Sequence, residues 1–290
     1  MRAARTRPVA LVASLLCAGA GCSADRLYPS VKARPSIEIE AGTPPRAGRP
    51  IAMHFSWVVD PDFKPPARPH RVFVHFLLAD GQLAFTDDHE PEPAVGRWKP
   101  GGVYEYTRTV VLPDRVRRLG VRVGLFSARF PYKARVLARD TRKPGFPTLA
   151  EFQVAENPDQ AEEAVHLGRG FLPWVQDGRA MARSTSWTGR SATFAFLRRP
   201  EGTTLLLQGY TERARFSSDP TLTLRVGDLE VRQLIRDDNR RVVRLDIPGD
   251  GSTAIAEGTL AMDASFTAEG RTLAYCVERF RAISSSATGR

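Results

Sequence analysis

The densest set of titratable side chains in the first half of the sequence is Asp87-Asp88-His89-Glu90-Pro91-Glu92. Carboxylates this close can serve as a general acid–base pair or as oxygen ligands for calcium. If His54 and His75 face each other on strands, two imidazoles and one of these carboxylates would suit zinc. Against a metal, none of His54, His70, His75, His89 and His166 stands at the local spacing of a metal motif. The acidic run also lacks the alternation of a calcium loop, and Pro91 and Pro93 stiffen it. Asx-type turn bonding by Asp87 or Asp88 accounts for the same residues without any ligand. No metal and no cofactor is expected, and Asp87, Asp88 and His89 stand as candidates for a contact surface.

Aromatic platforms are the second candidate chemistry. Sugars pack the apolar C–H face of the ring on a flat π-system, and Trp57, Trp98, Trp174 and Trp187 are the side chains large enough to serve. Trp98 precedes Lys99-Pro100-Gly101-Gly102, a turn sequence that would bring it to the surface. Trp57 ends an apolar run, and Trp187 suits the plug of a core. Trp98 and Trp174 are therefore the candidate ligand platforms.

Nucleophilic catalysis finds no motif. There is no Gly-x-Ser-x-Gly elbow, no His-Glu-x-x-His, no helical Ser-x-x-Lys set and no phosphate-cradling glycine loop. No catalytic residue is assigned. A hydrolase using Asp87, Asp88 or His89 ranks behind a binding protein.

The elements that must position these residues read as strands almost throughout. Ser36-Ile37-Glu38-Ile39-Glu40 alternates strictly, as a half-buried strand does. Residues 51–59, 72–78, 104–112, 119–126, 135–138 and 151–154 are further short runs rich in β-branched and aromatic residues. After an acidic stretch at 155–168, with one helical turn expected over 160–165, a second set follows. It comprises 183–187, 192–197, 204–208, 221–226, 229–235, 242–247, 259–264 and 272–280. Asp80-Gly81 and Gly227-Asp228 supply tight turns. Short strands without amphipathic helices between them predict antiparallel sandwiches. The expected fold is all-β: two antiparallel β-sandwiches, Ig-like or jelly-roll-like, at 35–155 and 169–281. A linker at 156–168 joins them, and a disordered tail occupies 282–290.

The first residues carry an address. Arg2, Arg5 and Arg7 precede an apolar run from Val9 to Ala20, which ends in Ala18-Gly19-Ala20-Gly21-Cys22-Ser23. That order is a bacterial lipoprotein signal over 1–21, with Cys22 as the lipidated residue and 22–34 as a tether. The apolar run is too short to span about 30 Å of hydrocarbon. Gly19 stands where a larger aliphatic residue is usual, so an ordinary secretory signal cut near Ala20 or Ser23 is the alternative. Ser23 after the cysteine favours the outer membrane over the inner one.

Charge and cysteine content bound the rest. The 290 residues carry a formal net charge of +10. Loss of the three signal arginines, with no acid, lowers it to +7. A basic surface suits anionic headgroups or acidic glycans, and the scattered arginines of an exported protein argue against nucleic acid. Of three cysteines, Cys17 leaves with the signal and Cys22 takes the lipid. Cys276 remains, so no intramolecular disulfide is possible. Its apolar setting, Leu273-Ala274-Tyr275-Cys276-Val277, suits a buried inert thiol.

Three local patterns carry a resemblance: Val72-Phe73-Val74-His75-Phe76 with Asp80-Gly81, then Asp88-His89-Glu90-Pro91, then Trp98-Lys99-Pro100-Gly101. With Val123-Gly124-Leu125-Phe126, this stretch resembles a β-sandwich module of bacterial envelope proteins. The same module occurs fused to membrane glycosyltransferases of the protein-mannosyltransferase type. A companion module is resembled more weakly by Thr185-Ser186-Trp187-Thr188-Gly189 and Arg271-Thr272-Leu273. The likeness covers roughly 35–155 and 168–280. It implies an extracytoplasmic, non-catalytic β-module near glycan metabolism. The transmembrane transferase part has no counterpart here, so no transferase activity is implied.

The expectation is an exported, lipid-anchored envelope protein that binds cell-surface glycan or part of its export machinery. A scaffold lipoprotein contacting other envelope proteins is the alternative.

Overall fold

The computed structural model describes residues 30–40, 44–66, 69–127, 133–136, 148–159, 163–172, 175–176, 184–268 and 270–285. Cys22, Trp174 and the expected signal lie outside the described residues.

The first half holds β1 (Ser30–Val31), β2 (Ala33–Ile39), β3 (Pro50–Val59), β4 (His70–Leu77), β5 (Leu83–Thr86), β6 (Val103–Val111), β7 (Arg118–Ser127), β8 (Lys133–Val136) and β9 (Thr148–Gln153). They form two sheets, β2-β3-β6 and β1-β8-β7-β4-β5, with β9 also on β7. The pairs are antiparallel except β1 on β8. Alternation along β3 turns Met53, Phe55 and Trp57 inward, each fully buried. They meet Val72, Val74 and Phe76 of β4 and Leu119, Val121 and Val123 of β7 in one core.

The second half holds β10 (His166–Leu167), β11 (Val175–Gln176), β12 (Ser184–Trp187), β13 (Ser191–Arg198), β14 (Gly202–Tyr210), β15 (Thr221–Val226), β16 (Leu229–Leu234), β17 (Arg241–Pro248), β18 (Ala254–Met262), β19 (Phe266–Ala268), β20 (Arg271–Leu273) and β21 (Cys276–Ser284). The sheets β10-β13-β18-β15-β16 and β11-β12-β21-β14-β17 enclose Phe194, Phe196, Leu205, Leu207, Leu224 and Leu260. The chain is an all-β protein of two antiparallel sandwiches. Both anticipated turns are present, with Gly81 at φ +82° and Gly227 at φ +56°. Gly81 is helped by Asp80, whose carboxylate accepts from the Gln82 amide at 2.9 Å.

The two sandwiches share a covered seam. β14 is buried at nearly every position, which a strand facing solvent on one side cannot be. Leu205 and Leu207 point into its own core. Gln208, on the other face, reaches the first half, where its Oε1 accepts the amide of Val111 at 2.7 Å. Arg279, paired beside Gln208, lays its guanidinium 4.8 Å over the ring of Phe85. Val111 and Phe85 sit on β6 and β5, the edge strands of the two first-half sheets. The second sandwich thus lays one sheet face across the open edges of the first, hiding donors that an edge strand would otherwise expose.

This packing moves the expected boundaries. The linker at 156–168 is part of the seam. Glu163 is 1% exposed and ion-paired with Arg49, and it accepts from the Asn157 amide group at 2.7 Å. Its own carbonyl accepts from the Ala282 amide at 3.0 Å. A carboxylate buried with its partners is fixed in place. His166–Leu167 already belongs to the second sandwich as β10. The first residues of the tail expected from 282 are ordered instead: β21 continues to Ser284, with Ala282 and Ile283 buried, and 286–290 lie outside the described residues. At the other end, tether residues 30–34 lie in β1 and β2. The strand expected at 272–280 divides at Ala274-Tyr275, where the backbone turns to exchange hydrogen bonds with Thr188.

Candidate functional site

The acidic run continues alongside β4 after β5 ends. The Asp87 amide donates to Val74 O at 2.9 Å, and His89 exchanges two backbone bonds with Val72. Extended backbone puts alternate side chains on opposite faces. Asp87 and His89 therefore enter the sandwich, 2% and 0% exposed, while Asp88 turns outward.

Inside, a hydrogen-bond chain crosses the core. Trp57 Nε1 donates to the Tyr106 hydroxyl at 3.4 Å, which lies 2.9 Å from His89 Nε2. His89 Nδ1 sits 2.7 Å from the carbonyl oxygen of Asp87. A carbonyl only accepts, so this contact assigns the proton to Nδ1 and leaves Nε2 to accept from Tyr106. Burial pulls the His89 pKa down to about 3, with Arg108 adding to the shift, so the ring is neutral at ordinary pH. Burial pushes the Tyr106 phenol up, keeping it protonated. Burial disfavours the charge on Arg108, but the Asp87 carboxylate outweighs it and holds the guanidinium charged.

Asp87 and His89 do not belong to a contact surface. A ligand cannot reach either side chain, and their polar atoms already have partners. A hydrolytic site built on them is corrected on the same ground. Trp98 is corrected too: it is 1% exposed, stacked on Tyr104 at 5.2 Å and packed on Trp57 at 5.3 Å. Its indole N–H donates to Pro93 O at 2.9 Å. The turn after it folds the ring inward instead of presenting it. Trp187 packs edge-on against Phe266 and Tyr210. His54 contacts Thr107 at 3.3 Å, and His75 Nε2 lies 4.0 Å from Asp88 Oδ1. Among the described residues, no three His, Cys, Asp or Glu side chains converge as a metal site.

Asp88 remains accessible, and it lies in company that its neighbours in sequence do not announce. A groove of about 290 Å³ opens along the seam. Arg71, Asp88 and Phe126 line it from the first sandwich, and Tyr210, Glu212, Asp238 and Arg240 from the second. Arg240 lies 5.2 Å over the Tyr210 ring and is held by Glu278, its Nε 2.8 and 2.9 Å from the two carboxylate oxygens. Burial pushes the Asp88 pKa up, against the pull of Arg240. Asn239 ties the two walls: its Oδ1 accepts from Arg71 Nη2 at 3.0 Å and from the Glu90 amide at 2.8 Å. The groove offers three carboxylate acceptors, two guanidinium donors and two aromatic rings around one recess. That set suits a polyhydroxylated ligand.

No protein-family model matches this sequence, and no curated protein is significantly similar to it. Solved structures give weak likenesses. One is an exo-β-1,3-galactanase from Phanerochaete chrysosporium, at 9% identity over 86% of this chain and 56% of that one, TM-score 0.28. Another is the M60 catalytic domain of Clostridium perfringens ZmpB with its two CBM51 domains. There the identity is 10% over 80% of this chain and 34% of that one, TM-score 0.25. A third is the collagen-binding domain of Erysipelothrix rhusiopathiae surface protein RspB, at 8% over 85% and 94%, TM-score 0.17. The chain spans about half or less of the length of the first two. Likenesses this weak assign no activity, and the all-β fold rests on the strands themselves. Among the described residues, no helix is long and apolar enough to cross a membrane.

Proposed function

We propose that this chain is an exported envelope protein, anchored by lipid at Cys22, whose joined sandwiches bind a cell-surface glycan without catalysing its change. One observation supports this above the others. The seam groove gathers Asp88, Arg71 and Arg240 beside the rings of Tyr210 and Phe126. Vicinal sugar hydroxyls donate to a carboxylate and accept from guanidinium, while the sugar's C–H face packs on an aromatic ring. Neither sandwich supplies this set alone, so the covered seam is what makes the groove. The leader supports export: three arginines, an apolar run and small residues before Cys22.

Residues 23–290 are expected to co-sediment saturably with isolated envelope polysaccharide or peptidoglycan of the producing organism, competed by free sugar. Tyr210→Ala and Asp88→Asn should each weaken this by about tenfold, the loss of one ring contact or one charge-assisted hydrogen bond. Absence of saturable binding to every envelope glycan would remove the reading. Metabolic labelling with a radioactive fatty acid, lost in Cys22→Ser, tests the anchor.

A scaffold role has its own support. β16 is a sheet edge that leaves Leu229 and Leu234 exposed. Crosslinking in intact cells that traps one protein partner at this edge, with no glycan required, would favour it.

A further inference from the structure

A second recess of about 260 Å³ lies at another point of the first sandwich, between the turn before β3 and the loop from β6 to β7. Ala47 and Val116 line it, both buried, together with Arg115, Arg117, Glu156 and Asn157.

The charges around it do not balance. Asp114 is taken by Arg281 and Glu163 by Arg49, in ion pairs of the seam beneath. Asp159 lies 3.9 Å from the same Arg49 guanidinium. Above them Arg117 leans on Glu156 at 2.5 Å, both side chains open to solvent. Arg115 is exposed and makes no ion pair or hydrogen bond among the described residues. Arg46, also exposed, is near enough to Arg49 to depress its charge. Of the groups lining the recess, two guanidinium groups, Arg115 and Arg117, therefore meet one carboxylate, Glu156, which Arg117 already holds.

Arg115 is also held in an unusual backbone. Its φ is +63°, and it is the one non-glycine residue with positive φ among the described residues. For a side chain with a Cβ that conformation costs roughly 1–2 kcal/mol, which glycine would avoid. Among the described residues, Arg115 makes no ion pair or hydrogen bond that would offset the cost. What the strained turn achieves is a guanidinium fork on the rim of the recess.

We propose that this recess is an anion subsite, taking the carboxylate or phosphate of an acidic saccharide on the Arg115 and Arg117 guanidinium groups. Planar forks match such anions two bonds at a time. The proposal rests on the glycan reading above for the bearer of the anion, but not for the site. A saccharide suits it better than a bilayer because the recess is concave, and a planar surface of headgroups cannot enter it. Strand direction points the same way. β2 and β3 pair antiparallel, with Ala33 opposite Val59 and Ile39 opposite Met53. The recess lies at the Pro50 and Arg118 ends of β3 and β7, away from the Ser30 end at which the chain leads back to Cys22.

The test is titration of residues 23–290 with an oligogalacturonate, its carboxyl-reduced neutral form, inorganic phosphate and phosphatidylglycerol vesicles. Arg115→Gly is the informative variant, because it deletes the fork and relieves the backbone together. It should unfold at the same or a higher urea concentration than the parent. Oligogalacturonate should bind the parent in a salt-sensitive way and bind Arg115→Gly or Arg117→Gln at least about tenfold more weakly. The neutral form should show no dependence on either arginine. Equal oligogalacturonate affinity in Arg115→Gly, or equal affinity for the carboxyl-reduced form, overturns the proposal. So does inorganic phosphate or vesicle binding that matches the oligosaccharide and depends on Arg115. Asp88→Asn separates the two readings: binding sensitive to Arg115 and not to Asp88 leaves this subsite standing even if the groove binds nothing.

Discussion

Arg108 grips Asp87 with both arms, Nε 2.6 Å from Oδ2 and Nη2 2.8 Å from Oδ1, and the same Nη2 donates to the Arg240 carbonyl at 2.9 Å. One side chain thus neutralises a carboxylate buried in the first sandwich and fastens the second sandwich to it. Removing one partner strands the other charge away from water, which costs about 3–5 kcal/mol. Arg108→Met or Asp87→Leu alone should lower the urea midpoint accordingly. The double variant should recover much of the loss, because two apolar side chains leave no orphan charge. Single variants that unfold within about 1 kcal/mol of the parent would mean that the pair is more solvated than its burial indicates.

Asn239 is the second fastening, and it acts through hydrogen bonds without charge of its own. It is 8% exposed, and its carbonyl serves Arg71 and the Glu90 amide at once. Asn239→Ala leaves both donors without that acceptor, at a cost of roughly 1–3 kcal/mol. The cost falls on the seam, not on either core. Hydrogen exchange should accelerate in the peptides holding Glu90 and residues 236–241 while core strands β3 and β14 keep their protection. Uniform acceleration throughout would show that the sandwiches unfold as one unit.

His89 sets a direction for acid sensitivity. Its folded pKa of about 3 lies below the ordinary value of 6.5. Below pH 6.5 the unfolded chain takes up a proton there, and the folded chain does not until near pH 3. The stabilisation from a neutral His89 is therefore complete above about pH 6.5 and declines as pH falls toward 3, by an amount on the order of a few kcal/mol. Asp88 runs the other way: its pKa is raised, so the cost of its charge eases as pH falls. The urea midpoint should drop between pH 7 and pH 4.5, and drop less in His89→Gln, which starts lower at pH 7. The His89 ring should show no NMR titration between pH 8 and pH 5. A midpoint near 6.5 would contradict its burial.

Strand positions were legible because alternation and turn residues are local. Ser36 to Glu40 and Val226-Gly227-Asp228-Leu229 carry their structure in a few neighbouring side chains. The seam was not legible, since Arg71 meets Asn239 and Arg108 meets Arg240 across more than 100 residues of chain. β14 hinted at it: Thr203 to Gly209 is a buried run with no solvent face, the mark of a strand covered on both sides. The acidic run stands out in the sequence, but two of its three candidate residues, Asp87 and His89, are buried and not on a surface. Extended pairing against β4 sends Asp87 and His89 inward, and that register depends on a partner strand that lies elsewhere in the sequence. Tyr210 and Arg240 carry no local signal: one is the last residue of β14 and the other directly precedes β17.

Trp98 makes the sharpest separation between a turn read from sequence and the turn as folded. An exposed platform tryptophan can be replaced by alanine with little change in stability and a loss of binding. A ring 1% exposed, stacked on Tyr104 and bonded to Pro93 O, cannot. Trp98→Ala should cost about 3–5 kcal/mol, the range for deleting a large buried aromatic. Trp98→Phe keeps most of the packing and loses the N–H donor, so its cost should be about 0.5–1.5 kcal/mol. At a temperature where both variants remain folded, glycan affinity should match the parent, because the groove lies elsewhere and does not use this ring. Urea unfolding monitored by far-ultraviolet circular dichroism, beside the co-sedimentation assay, gives both numbers on one preparation. Loss of binding in a fully folded Trp98→Phe would place the indole at a ligand and overturn the core assignment.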